Sequence, residues 1–123
     1  MKNVSAAIII RNNEILIGRR SASVNLTGFW EFPGGKAEAN ETLQVALIRE
    51  IHEELNININ VYEKIAEEKY KDSEINIVLH YFLCSIKDGV ISLNEHEAME
   101  WADKTNFDKY DFVVGDGNIT SLI

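Results

Sequence analysis

The 123-residue sequence holds one cysteine and one proline. A single cysteine excludes a disulfide within the chain. Cys84, between Leu83 and Ser85 in an apolar run, reads as a core thiol, not a nucleophile or a ligand. No apolar stretch reaches the roughly 18 residues that suggest a membrane-spanning helix. No basic-then-apolar leader ends in a small-residue cleavage site, so the expectation is a cytoplasmic protein with no membrane partner. Basic residues are also scarce, with 12 Lys and Arg against 20 Asp and Glu for a net charge of −8. That balance argues against a surface that grips a nucleic-acid polymer through its phosphates. A polyphosphate ligand must then arrive with a divalent cation or meet a local basic cluster. Repeats, low-complexity tracts and linkers are missing, and 46% of the residues are apolar. One folded domain spanning residues 1–123 is expected. The oligomeric state is left open.

What is present is concentrated in residues 34–57, GGKAEANETLQVALIREIHEELNI. At about 100° per residue, with Glu50 as zero, Leu43, Leu47, Ile51 and Leu55 of a helix over 41–55 fall between about 20° and 140°. This apolar stripe faces a core. Glu54 lands near 40° and Glu53 near −60°, roughly inside or beside the stripe, while Arg49, Val45 and His52 take the opposite face. Carboxylates gathered on a half-buried face repel one another and lose hydration, so folding alone does not place them there. A cation between them resolves the conflict. Hard divalent ions such as Mg²⁺ take oxygen ligands and complete their shell with water and substrate phosphates.

The same residues resemble the Nudix box: G, five residues, E, seven residues, then R-E-aliphatic-x-E-E-x-G-aliphatic. Gly35, Glu41, Arg49, Glu50, Ile51, Glu53, Glu54 and Ile57 match it, and Asn56 stands where the family has glycine. Asn is the commonest substitute for glycine where a helix ends with positive φ. The resemblance implies an α+β Nudix fold, a mixed β-sheet flanked by helices in an α/β/α sandwich. It also implies Mg²⁺ or Mn²⁺ held by Glu50, Glu53, Glu54 and the carbonyl of Gly34. Gly35, Glu41 and Arg49 are expected to give structural support, since the guanidinium is a fixed fork of donors that braces carboxylates.

The rest of the chain reads as strands and turns. Val4–Arg11 and Glu14–Arg20 form a hairpin about Asn12-Asn13, and Ser21–Gly28 is a loop. Phe29–Phe32 is a short strand ended by a turn at Pro33-Gly34-Gly35, with Asn40 as the N-cap of the helix. Asn58–Lys71 and Ile75–Ile86 form a second hairpin about Asp72-Ser73, and within it His80 reads as a satisfied strand residue. Ile91–Leu93 is an edge strand, Met99 and Trp101 are core positions on a strand, and Thr105–Tyr110 is a helical turn. A final helix occupies Gly115–Ile123.

WEFPGGK is the form this motif takes in MutT-like and CTP-pyrophosphohydrolase-like members. The resemblance places Arg20 on the substrate phosphates, with Lys36 either a second phosphate contact or a solvated loop lysine. Glu31 joins them as a substrate contact. Glu95, ahead of the strand EHEAMEW, is a further metal ligand or proton acceptor or else a solvated acid, with Glu97 in reserve. Glu50, Glu53 and Glu95 are the catalytic candidates, and Glu50 or Glu95 positions the attacking water. Asp116 is either a plain helix N-cap or, by resemblance, the reader of the nucleobase. An ionised Asp only accepts hydrogen bonds, which favours an exocyclic amine, as on cytosine or guanine. Phe29, Trp30 or Phe82 is expected to stack on the base. The implied reaction splits nucleoside triphosphates, 8-oxo-dGTP or cytosine nucleotides, into monophosphate and pyrophosphate and so cleans the nucleotide pool. Two other readings stay open: a Nudix hydrolase of ADP-ribose or dinucleoside polyphosphates, and a non-catalytic nucleotide-sensing module.

Overall fold

The computed structural model describes residues 2–21, 28–113 and 115–123. The loop expected at Ser21–Gly28 therefore lies largely outside the described residues. β1 (Lys2–Arg11) turns through Asn12 and Asn13, both at positive φ, into β2 (Glu14–Arg20). Asn tolerates that left-handed region better than most residues, which fixes the hairpin here. β3 (Trp30–Glu31) and β4 (Gly34–Lys36) follow, then α1 (Leu43–Leu55). The long hairpin of β5 (Ile57–Lys71) and β6 (Asn76–Gly89) leads to β7 (His96–Asp103), a 3-10 helix at Lys104–Lys109 and the short α2 (Asp116–Ile119).

The sheet path is β3-β2-β1-β6-β5, with β4 added to β1 and β7 to β2. β1 and β6 run parallel, Ala6 facing Tyr81, while the other strand pairs are antiparallel. Both faces of the sheet are covered, which explains the nearly continuous apolar run of β1. Ala7, Ile9, Leu16, Phe82 and Cys84 pack beneath Leu47, Ile51 and Leu55 of α1. Ala6, Ile8, Ile17, Phe32 and Tyr81 pack on the other side against Phe107 and Ile119. The expected mixed sheet between helical layers is what forms. Burial pushes the Cys84 thiol up to about 12, in keeping with a core residue. His80 bonds Asn3 Oδ1 through Nε2 at 3.0 Å.

Three local expectations need correction. The N-cap of α1 is Thr42, not Asn40: its Oγ1 accepts from Val45 N at 3.1 Å, so the helix begins at Leu43. Gly34 and Gly35 lie in a strand on β1, not in a turn; a Cβ on Gly34 would stand 2.0 Å from Ser5 O, so glycine serves close backbone approach. Ile91–Leu93 is not an edge strand. Its backbone turns instead to the open carbonyls at the end of α1, with Ser92 N donating to Leu55 O at 2.8 Å and Asn94 N to Glu54 O at 3.2 Å.

Candidate active site

Helix periodicity decides which acids of α1 are buried. Glu54, on the apolar stripe, is 2% exposed. Glu53, one step round, has a side chain 53% exposed and meets Arg49 Nη1 at 3.3 Å. Glu50 lies between these extremes, and its carboxyl rests on β4. A Cβ on Gly35 would come 2.3 Å from Glu50 Cδ, so only glycine leaves that carboxyl room.

Arg49 starts on the far side of the helix and folds back. Its Nε and Nη2 clasp Glu41 at 2.7 and 2.8 Å, Nη1 reaches Glu50 at 3.0 Å, and Nη2 donates to the carbonyl of Lys36 at 3.2 Å. One planar fork thereby ties the start of the helix to β4 and steadies Glu50. The Arg49 contact holds the Glu41 carboxyl down at about 2.

A cavity of about 930 Å³ opens beside Glu54. Arg20, Glu31, Gly34, Lys36, Glu54, Glu95, His96 and Asp116 all line it. Glu50 lines the adjoining hollow together with Lys36 and Glu41. Glu53 lines neither. The segment docked on the helix end carries Glu95 into the cavity, and Asn94 Nδ2 reinforces that dock on Glu53 O at 2.9 Å. Glu97, the reserve for Glu95, pairs with Arg19.

Glu31 spends one carboxylate oxygen on Arg20 Nη1 at 2.6 Å and the other on His96 Nε2 at 2.8 Å. His96 is the residue the sequence reading missed. A register shift in the β2/β7 pairing sets Arg19 opposite Ala98 and Arg20 opposite His96, leaving Glu97 as a bulge. Such bulges re-aim side chains, and nothing in the sequence announces this one.

Asp116 is 4% exposed. It does not cap α2 through its side chain; the N-cap is Gly115. Oδ2 accepts from Phe32 N at 2.9 Å and Oδ1 from the Tyr81 hydroxyl at 2.5 Å, while burial lifts its carboxyl to about 7. Phe82 is 2% exposed beneath α1 and cannot stack on a ligand. Phe32 and Tyr70, not Phe29 or Trp30, are the Phe, Tyr or Trp residues lining the cavity among those described.

The charge arrangement is unbalanced. Burial, then the carboxylates of Glu95, Glu31 and Glu50, drive the Glu54 carboxyl up to about 10. Among the described residues, Glu54 Oε2 and His96 Nδ1 are buried without a hydrogen-bond partner. One donor atom each from Glu31, Glu54 and His96 lies within 4.8 Å of the others. A site of this composition fits a divalent cation, which stabilises the ionised acids and gives the orphaned atoms a partner.

The model of the NUDIX domain matches residues 1–122. The chain belongs to the Nudix family. This Nudix domain is 40% identical over 101 residues to the CTP pyrophosphohydrolase of Escherichia coli (strain K12), covering 82% of this chain and 75% of that protein. It is 34% identical over 115 residues to the 8-oxo-dGTP diphosphatase of the same strain, covering 91% and 89%. Its fold superposes on a crystal structure of the MutT NUDIX hydrolase from Burkholderia pseudomallei with a TM-score of 0.89, at 23% identity and over 99% and 97% of the two chains. Divalent metal use is general in Nudix hydrolases. No helix among the described residues is long and apolar enough to cross a membrane.

Proposed function

We propose that this Nudix hydrolase splits nucleoside triphosphates into monophosphate and pyrophosphate with Mg²⁺ or Mn²⁺, and that 8-oxo-dGTP or cytosine nucleotides are its substrates. The observation that carries the reading is the buried, uncompensated carboxyl of Glu54 beside Glu31, Glu50 and Glu95, facing a cavity with Arg20 and Lys36 on its wall. The relatives named for CTP and 8-oxo-dGTP hydrolysis support the substrate class.

In this reading Glu50, Glu54, Glu95 and the Gly34 carbonyl would hold the metal, while Glu53, exposed and paired with Arg49, would reach it only by leaving that contact. When bound, the cation neutralises phosphate oxygens and makes water a better nucleophile. Arg20 and Lys36 bind the phosphates, and Glu31 holds Arg20 in place. Glu50 or Glu95 orients the water and takes its proton as the water oxygen bonds to one phosphorus of the bridge between monophosphate and pyrophosphate and the bond from that phosphorus to the bridging oxygen breaks. Asp116, fixed by Phe32 and Tyr81, accepts from the exocyclic amine of the base. Purified protein with Mg²⁺ is expected to release monophosphate and pyrophosphate from at least one of 8-oxo-dGTP, dCTP and CTP. Release from none of them overturns the proposal.

A further inference from the structure

We propose that Glu54 and His96 together bind a divalent cation at a position with a nitrogen ligand, which favours transition ions such as Mn²⁺, Co²⁺ or Zn²⁺ over Mg²⁺.

The imidazole is placed with some care. The bulge at Glu97 turns His96 inward, and β2 makes room for it at Gly18, where a Cβ would stand 2.7 Å from His96 Cδ2. The ring is 7% exposed and fixed at one end, with Nε2 2.8 Å from Glu31 Oε2. Glu31 is itself held by Arg20. Donation from Nε2–H to that carboxylate leaves Nδ1 as the lone-pair nitrogen. Nδ1 points at the helix acid, 3.9 Å from Glu54 Oε1, and has no hydrogen-bond partner among the described residues; nor has Glu54 Oε2.

The unpartnered Nδ1 and a carboxyl whose second oxygen is also unpartnered face one another, which leaves room for an ion between the two groups. A histidine that donates through one ring nitrogen to a carboxylate and presents the other is how metal-ligating imidazoles are oriented. First-row transition ions, Mn²⁺ included, accept a nitrogen ligand more readily than Mg²⁺, which keeps to oxygen. Glu31 is thus a positioning residue for the imidazole, and waters or ligand phosphates complete the shell. Through Glu54 the inference rests on the proposed metal-dependent function, while its nitrogen ligand is read independently of turnover.

The test is pulsed electron paramagnetic resonance on the purified, EDTA-treated protein reloaded with Mn²⁺. The wild type is expected to show coupling from one directly bound nitrogen, which changes to the ¹⁵N pattern when histidine is ¹⁵N-labelled. His96→Gln is expected to abolish it. In calorimetric titrations the same variant should weaken Mn²⁺ by at least about tenfold and Mg²⁺ by less than about twofold. Absence of nitrogen coupling in the wild type, its persistence in His96→Gln, or equal losses for the two ions overturns the inference. The labelled wild type decides the matter alone if the variant fails to fold. Mn²⁺ bound through oxygen only, with monophosphate still released, removes this inference and leaves the proposed function standing. No metal binding and no turnover removes both.

Discussion

Gly35→Ala separates function from folding more cleanly than removal of any acid. The new Cβ would stand 2.3 Å from Glu50 Cδ and 2.5 and 2.7 Å from its oxygens, against an ordinary contact of 3.4 Å or more. The carboxyl must therefore retreat by about 1 Å. Gly35 is not among the residues at positive φ, so alanine fits the backbone there. The colliding group is the far end of a flexible side chain, and moving it costs the fold little. Misplacing a catalytic group by about 1 Å costs about 10²-fold in rate, equivalent to about 2.7 kcal/mol at the transition state. We expect kcat/KM for the best triphosphate substrate to fall about 10²-fold while the urea midpoint moves by less than about 0.5 kcal/mol in stability. A rate within threefold of wild type would refute the claim that the resting place of Glu50 on Gly35 matters for chemistry. A large loss of stability would refute the claim that the carboxyl yields easily.

Glu54→Gln should stabilise the protein in EDTA, increasingly so at higher pH. The folded carboxyl is raised from 4.5 to about 10, so its favourable contribution is complete below 4.5 and is lost as pH climbs toward 10. Stability differences between variant and wild type are expected to widen by up to about 1.4 kcal/mol per pH unit between pH 5 and 8, measured by urea unfolding. A gap that ignores pH would count against a buried, uncompensated acid. Thr42→Ala removes the side-chain cap of α1 and should lower stability by about 1 kcal/mol, whereas Asn40→Ala should leave it nearly unchanged. Asp116→Asn offers the base a donor as well as an acceptor, so the kcat/KM ratio of CTP to UTP should drop by at least about tenfold; an unchanged ratio removes Asp116 from base recognition.

What could be read in advance was local. Glu54 falls on the apolar stripe because 3.6 residues make a turn, and Asn56 ends the helix at φ 59 because Asn tolerates that region. Both hairpins announced themselves through their turn residues. Tertiary pairing was less visible. Two glycines after a proline read as a turn, yet they form a strand because β1 offers an open edge for close approach. Ile91–Leu93 looked like a strand, but unpaired carbonyls at the end of α1 competed for its amides and won. His96 was hidden by a bulge, which shifts the inward and outward alternation without any mark in composition. Arg20, Glu31, Glu95 and Asp116 are far apart along the chain, and only resemblance suggested that they converge.

The pairing of β1 with β6 bears on how this protein is made. Parallel neighbours joined by so long a crossover are slow to meet, because the intervening chain must be ordered before any contact rewards it. β1 also supplies the edge on which Gly34 and Gly35 lie. A nascent chain that has left the ribosome only as far as α1 thus displays the complete acidic motif with its floor unsupported on one side. The cavity beside Glu54 is complete only when translation has passed β7 and reached α2, which bring Glu95, His96 and Asp116 to its wall.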